Sequence, residues 1–340
     1  MKFNEKFLTK DILIISDFDN DYTELEKDDE KKYLTKLFKQ IGAYGVKVSI
    51  EEVSNEKELR KILGKYNKDS VIVFNWCERF NNTDGTETQI TKIYEELGFI
   101  FTGGSTKTLE LVSNKYRCIQ LLQNAGIKVP ESYFVKEDQI DSFDIDFSKK
   151  YMVKSNNLHA SAGISLLNLL STRVDFLAVA KGLTELTKSD IVVQKFIEGD
   201  EYTALVWGFD KPEVLPIIKL NFENKNIPNI FTHSAKFETQ GEEYKDTVYS
   251  MLDKNDINYR EIENTVLEAY KTLKMEDYAR FDVRINNNDI YVIDYNSNPY
   301  VNMLSETDLC EVFICTNALG YNWGETVLKI CEFAYLRNIK

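Results

Sequence analysis

The segment Tyr278-Ala-Arg280-Phe-Asp282-Val-Arg284-Ile-Asn-Asn-Asn-Asp-Ile-Tyr-Val-Ile-Asp294-Tyr-Asn296-Ser-Asn-Pro299 alternates polar and apolar residues on either side of an Asn/Asp run. Alternation at period two predicts two strands, and the polar run predicts the turn of a β-hairpin. Counting by twos puts Arg280, Asp282 and Arg284 on one face and Phe281, Val283 and Ile285 on the other; Asp294 and Asn296 share a face of the return strand. With the turn centred near Asn287 and Asn288, Asp282 and Asp294 come out close to opposite one another. Two carboxylates and an amide oxygen beside an arginine form an all-oxygen set suited to Mg²⁺ held together with phosphate. An exposed hairpin with a polar face would carry the same pattern, so the rest of the chain has to decide.

With 340 residues the chain can bury a large core and build two or three domains. Hydrophobic and charged contents of 43% and 29% are those of a soluble globular protein. A formal charge of −13 excludes a duplex-binding surface, since phosphate neutralisation needs a basic face, and no nucleic-acid partner is expected. No apolar run reaches the roughly 18 residues of a membrane span, and the N-terminus lacks a signal-peptide pattern. The expectation is a cytoplasmic protein. Cys77, Cys118, Cys310, Cys315 and Cys331 form no CxxC pair and leave an odd thiol, so they are expected to be reduced. With only His159 and His233, a His-rich zinc site is excluded.

Over roughly the first hundred residues, apolar strands at 12–15, 46–53, 71–76 and 99–102 alternate with helical patterns at 29–43, 56–66 and 88–97. This predicts a parallel, doubly wound α/β sheet. No GxGxxG follows the first strand, so a dinucleotide site has no support. After Gly103-Gly104-Ser105 one long helix is expected over 105–124, carrying Lys115, by itself a solvated helix lysine. Strands at 132–135 and 151–153 come next, then Lys154 and the small, polar run Ser155–Gly163, which is either a plain surface loop or one that offers backbone N–H groups to phosphate. Further strands are expected at 191–197, 201–207 and 214–220, a helix at 259–273 leads into the hairpin, and a last amphipathic helix covers 323–335.

Five pieces in order resemble the ATP-grasp superfamily, and within it the D-alanine:D-alanine ligases: "FIFTGGSTKTLELVSNKYRCIQLLQNAGIKVP" from Phe99, "MVKSNNLHASAG" from Met152, "VVQKFIEGDEYTALV" from Val192, "HSAKFE" from His233 and "RFDVRINNNDIYVIDYNSNP" from Arg280. The resemblance implies α/β architecture, α+β overall. An N-terminal Rossmann-like domain (1–104), a central lid (105–193) and a C-terminal subdomain with the Mg and substrate site (194–340) would clasp ATP. It implies that Lys115 and Lys154 contact the α- and β-phosphates under a loop that includes Ser161. Gln194, Lys195 and the backbone near Ile197 would hold adenine, Glu201 the ribose hydroxyls, and Lys236 the γ-phosphate. Asp282, Asp294 and Asn296 would hold two Mg²⁺, with Mn²⁺ an accepted substitute. Arg280 would stabilise the tetrahedral adduct and Ser305 bind the acceptor carboxylate. The implied reaction joins a carboxylate to an amine through an acyl phosphate, on amino acid or peptide substrates. No membrane association is implied, and a homodimer through the N-terminal domain is common among such proteins.

The chain departs from the family on the substrate side. Its first loop, Ser16-Asp17-Phe18-Asp19-Asn20-Asp21, lacks the expected glutamate and serine. Asn75-Trp76-Cys77 replaces a His-Gly, although Asp84-Gly85-Thr86 and Gln89 echo the family's second loop. Ala160 and Ala162 thin the phosphate loop, His233 replaces a tyrosine, Asp294 a glutamate, and Tyr300 a small residue. The ATP side matches better than the substrate side. A true D-alanine:D-alanine ligase of cell-wall synthesis and a non-catalytic ATP-binding protein are therefore the two alternatives.

Overall fold

The computed structural model describes residues 2–17, 24–81, 83, 86–157, 168–222, 229–230, 241, 246–301 and 310–339, with the side chains of 24–30 left aside. Strand β1 (Asp11–Asp17) lies between β2 (Val48–Val53) and β3 (Val71–Trp76), and β3 carries the short β4 (Ile100–Phe101); every pairing is parallel. Ile12 and Ile14 enter one core with Leu37 and Ile41 of α1 (Glu24–Gly42). Leu13 and Ile15 enter another with Leu59 of α2 (Glu56–Leu63) and Ile90 of α3 (Glu87–Leu97). Strands buried on both faces under helices are what the expected doubly wound sheet requires.

The single helix expected over 105–124 is two, α4 (Thr106–Val112) and α5 (Lys115–Asn124). Asn114 leaves helical geometry (φ −100°, ψ 93°) and its side chain accepts the Arg117 N–H at 3.0 Å, capping a new helix in the middle of the apolar pattern. Lys115 and Tyr116 then donate their backbone N–H groups to the carbonyl and side-chain oxygens of Asn156, both at 3.0 Å, docking α5 on the central sheet.

That antiparallel sheet has the order β5 (Ser132–Val135), β8 (Ile191–Lys195), β6 (Tyr151–Ser155) and β7 (Leu169–Leu170), and α6 (Arg173–Thr187) covers it. The expected boundary at 193/194 falls inside β8, whose pairing with β6 runs on to Lys195. Residues 105–129 also differ from the expected grouping: Leu109, Cys118 and Leu122 pack in a core built mainly on the third sheet, which Val192 of β8 shares.

The third sheet runs β12 (Thr247–Met251), β11 (Ile218–Phe222), β9 (Asp200–Trp207), β13 (Tyr278–Asn286) and β14 (Asp289–Asn296), with β10 (Glu213–Val214) also paired to β9. The one strand expected over 214–220 divides into β10 and β11 around Pro216, which has no N–H to give a ladder. One face of this sheet packs on α7 (Tyr259–Thr272), α4 and α5. On the other face, Leu205, Trp207 and Tyr278 join the core of the N-terminal sheet together with α8 (Glu311–Ala318) and α9 (Trp323–Ile339). The last helix therefore returns to the first sheet.

The two sheets are pinned where β4 ends. Gly103 N–H donates to Asp277 Oδ2 at 2.9 Å, Gly104 N–H to Asn298 Oδ1 at 3.0 Å and Ser105 N–H to Glu276 Oε2 at 2.5 Å. Arg337 of α9 pairs with Glu276 at 2.9 Å and Asp277 at 3.0 Å. Gly103 has φ +85°, and a Cβ there would run into the Asn298 side chain, so glycine is required. All five cysteines are free thiols. Among the described residues, no helix is long and apolar enough to cross a membrane.

Candidate active site

The β13–β14 hairpin forms as its alternation predicts, with Asn287 and Asn288 at φ +49° and +68° in the turn. Asp282 lies opposite Asp294 and Arg280 opposite Asn296. The register then slips, because Val283 faces Val292 and Ile293 is left as the extra residue of a bulge. The bulge releases the Ile293 carbonyl, which accepts from Lys154 Nζ at 2.9 Å. The lysine expected to meet phosphate is thereby held on the strand that carries Asp294.

On its other edge β13 faces β9, with Glu201 opposite Arg284 and Thr203 opposite Asp282. Thr203 Oγ1 donates to Asp282 Oδ1 at 2.9 Å, and Arg280 Nη2 lies 3.3 Å from Asp282 Oδ2. Arg280 Nη1 reaches Glu311 Oε1 of α8 at 3.7 Å, while its buried Nε has no hydrogen-bond partner. Burial works against the guanidinium's charge, yet Asp282, Glu311 and Asp294 together hold its pKa above the ordinary arginine value. Asn296 Oδ1 accepts the Asn298 N–H at 2.9 Å, which leaves its second lone pair for a ligand.

Between the hairpin and the central sheet lies a cleft. Met152, Phe196, Ile197, Ile230 and Ile293 give it apolar walls; Lys154, Lys195, Gln194, Asp282, Asp294 and the Glu201/Arg284 pair are its polar groups. Apolar walls with a few convergent polar groups are the usual anatomy of a small-molecule site. Gln194 Nε2 donates to Ser132 Oγ at 3.2 Å. A smaller neighbouring cavity joins Lys115, Lys154 and Asp294. Lys115 is thus no solvated helix lysine: burial lowers its pKa to about 8, with Asp294 opposing the shift.

One side chain that sequence reasoning placed on the right face but gave no task is Arg284. Its Nε and Nη2 donate to Glu201 Oε2 at 3.0 and 2.5 Å, and its Nη1 to the Ile197 carbonyl at 2.8 Å. It also donates to the Asn229 carbonyl and lies 4.5 Å from the Phe196 ring centroid. Glu201 and the carbonyl of Ile197 therefore already have a partner inside the chain. Thr203 and Glu311 were likewise missed. Lys115, Lys154, Gln194, Lys195, Ile197, Glu201, Arg280, Asp282, Asp294 and Asn296 converge on this region. Ser161, Lys236 and Ser305, with His159 and His233, lie outside the described residues. No group of three or more His, Cys, Asp or Glu forms a metal site among the described residues, so a cation here would rest on two carboxylates and an amide.

The family pattern described as D-ala D-ala ligase C-terminus matches residues 121–310, more than half of the chain and the part that builds the cleft. The chain belongs to this D-alanine–D-alanine ligase family. Among curated relatives, the D-alanine–D-alanine ligase of Pseudothermotoga lettingae is 23% identical over 300 residues, covering 88% of this chain and 91% of the relative. That of Buchnera aphidicola is 24% identical over 265 residues, covering 74% and 79%. The structure of Bacillus anthracis D-alanine–D-alanine ligase complexed with ATP superposes with a TM-score of 0.71 at 17% identity, covering 96% of this chain and 98% of that one. VanG D-Ala:D-Ser ligase from Enterococcus faecalis gives 0.67 at 19%, covering 96% and 99%. The three sheets are the ATP-grasp fold of this family, as the sequence resemblance implied.

Proposed function

We propose that this member of the D-alanine–D-alanine ligase family is an ATP-dependent ligase that joins a carboxylate to an amine through an acyl phosphate and releases ADP. The observation that carries the reading is the cross-strand pair Asp282/Asp294, with Lys154 on the Ile293 carbonyl between an apolar slot and Arg280. Two carboxylates directly opposite each other repel unless a cation lies between them. With the Asn296 oxygen they fit Mg²⁺, and two ions are proposed; Mg²⁺ would supply charge neutralisation on the phosphates.

The slot walled by Met152, Phe196, Ile197 and Ile293 would take adenine, beside Gln194 and Lys195, and Glu201 the ribose hydroxyls. Lys115 and Lys154 would neutralise the inner phosphates, and Lys236 the outermost one. The sheet containing β5–β8, with Ser161 in its phosphate loop, is proposed as the lid. A substrate carboxylate oxygen would bond to the γ-phosphorus as the bond to the ADP oxygen breaks. The amine nitrogen would then form the C–N bond and lose a proton while phosphate leaves with the C–O electron pair. Arg280 Nε, a buried donor without a partner, would serve the oxyanion of that adduct. This chemistry is positioning and charge neutralisation, which suits lysines, an arginine and carboxylates rather than a nucleophilic triad.

The test is ADP and phosphate release with Mg²⁺-ATP over a panel of D- and L-amino acids and short peptides, singly and in pairs. Asp294→Ala is the control that must abolish it. Turnover with a substrate pair supports the ligase; tight ATP binding with silence across the panel favours the non-catalytic alternative.

A further inference from the structure

Arg284 is held from several sides at the wall of the nucleotide slot. Across the third sheet its neighbours in one row are Glu201 of β9 and Tyr291 of β14, with Leu220 of β11 beyond Glu201. Residues directly opposite on adjacent strands share a face, so arginine and glutamate meet side by side. Nε and Nη2 both donate to the same carboxylate oxygen, Glu201 Oε2, at 3.0 and 2.5 Å. Nη2 also donates to the Asn229 carbonyl, and Nη1 to the Ile197 carbonyl at 2.8 Å. Of the five N–H groups of a guanidinium, the chain itself uses all but one. The Phe196 ring, with its centroid 4.5 Å from Arg284 Cζ, covers the group as well.

The pairing is lopsided. A fork-to-fork contact between guanidinium and carboxylate gives one N–H to each oxygen. Here Oε2 takes two, and no described residue donates to Oε1. Glu201 nonetheless lines the cleft, beside Phe196, Ile197 and Ile230. An ionised carboxylate has about four lone-pair positions, two on each oxygen. The neighbouring hydroxyls of a ribose can meet a free carboxylate one to each oxygen. With both positions on Oε2 filled, only Oε1 is left to receive them. The carbonyls of Ile197 and Asn229 are bonded to the same guanidinium and do not replace the lost acceptor.

We propose that Arg284 is a positioning residue that decides how the site reads the sugar: by taking Glu201 Oε2 it leaves Oε1 to accept from a single ribose hydroxyl, so a nucleotide lacking the other hydroxyl is bound as well as ATP. The inference rests on the reading of the cleft as an ATP site, and the experiment separates the two. Titration calorimetry with Mg²⁺ and no amino acid compares ATP, 2′-deoxyATP and 3′-deoxyATP. A hydrogen bond to a charged acceptor is worth roughly tenfold or more in affinity, so one analogue should bind at least about tenfold more weakly than ATP and the other within about threefold of it. The ammonium of Arg284→Lys keeps the charge but gives Oε2 one bond in place of two. In that variant the tolerated analogue should weaken relative to ATP by roughly threefold or more, because the second hydroxyl now finds an acceptor. Each comparison is a ratio within one protein, so a general loss of stability or affinity does not mimic it. Two analogues weakened alike, two bound like ATP, or a ratio unmoved by Arg284→Lys overturns the proposal and leaves the ATP reading in place. Absence of ATP binding to the unmodified protein overturns that reading, and this inference with it.

Discussion

Replacing Arg284 by methionine should be among the most damaging single changes in the cleft. Arg284 and Glu201 have side chains only 3% and 4% exposed, and the pair is joined by two charge-assisted bonds at 3.0 and 2.5 Å. Removing the arginine leaves a buried carboxylate uncompensated, which costs about 3–5 kcal/mol. The Ile197 carbonyl loses its 2.8 Å donor as well, about 1–3 kcal/mol more if water cannot replace it. Replacing both partners, Arg284→Met with Glu201→Leu, removes the stranded charge and should cost less than the single change. The measurement is urea unfolding of all four members of the double-mutant cycle, followed by the fluorescence of buried tryptophans such as Trp207, which lies on β9 with Glu201. The coupling between the two positions should reach about 2 kcal/mol or more. A single Arg284→Met cost below about 1 kcal/mol, or costs that simply add, would refute the reasoning.

Lys115, with its pKa lowered to about 8 by burial, carries full charge only below that pH. ATP affinity should therefore fall as pH rises through about 8, since binding then requires uptake of a proton, by up to tenfold per pH unit. Titration calorimetry between pH 6.5 and 9.5 checks this, and Lys115→Arg should flatten the dependence. Gly103→Ala places a side chain at φ +85° against Asn298 and should destabilise the fold by about 1–3 kcal/mol, read as a lowered melting temperature. Asp282→Asn removes one of the two opposed carboxylates and should weaken Mg²⁺-dependent ATP binding at least tenfold while leaving the Thr203 contact possible, measured as ATP affinity with and without Mg²⁺.

The hairpin was legible because its information is local: Asn287-Asn288 fixes the turn, and strict alternation fixes which residues share a face. That was enough to bring Asp282 opposite Asp294. The bulge at Ile293 was not legible, because it is settled by what the freed carbonyl meets, and Lys154 lies 139 residues away. Asn114 hid its cap inside an apolar periodicity that runs unbroken from 105 to 124. Lys115 consequently looked like a surface lysine, although the new helix directs it into the site. Glu201 and Arg284 each stood out in sequence, but their union depends on the β9–β13 register, 83 residues apart. Pairing across β8 likewise moved the expected boundary beyond 193, and only long-range packing returns α9 to the first sheet. That Lys154, Gln194, Lys195, Glu201, Asp282 and Asp294 belong together was readable from residue types in order, and they line one cleft; the contact of Arg280 with Glu311 is one that no local pattern announces.

The central claim is that the cleft activates a carboxylate by phosphorylation, and oxygen transfer tests it most directly. A substrate acid labelled with ¹⁸O in its carboxylate is turned over with Mg²⁺-ATP, and the released phosphate is analysed by mass. Transfer of one labelled oxygen to each phosphate is the predicted result, because the carboxylate oxygen that bonds to phosphorus leaves with it. Amide formation accompanied by label-free phosphate would contradict the account.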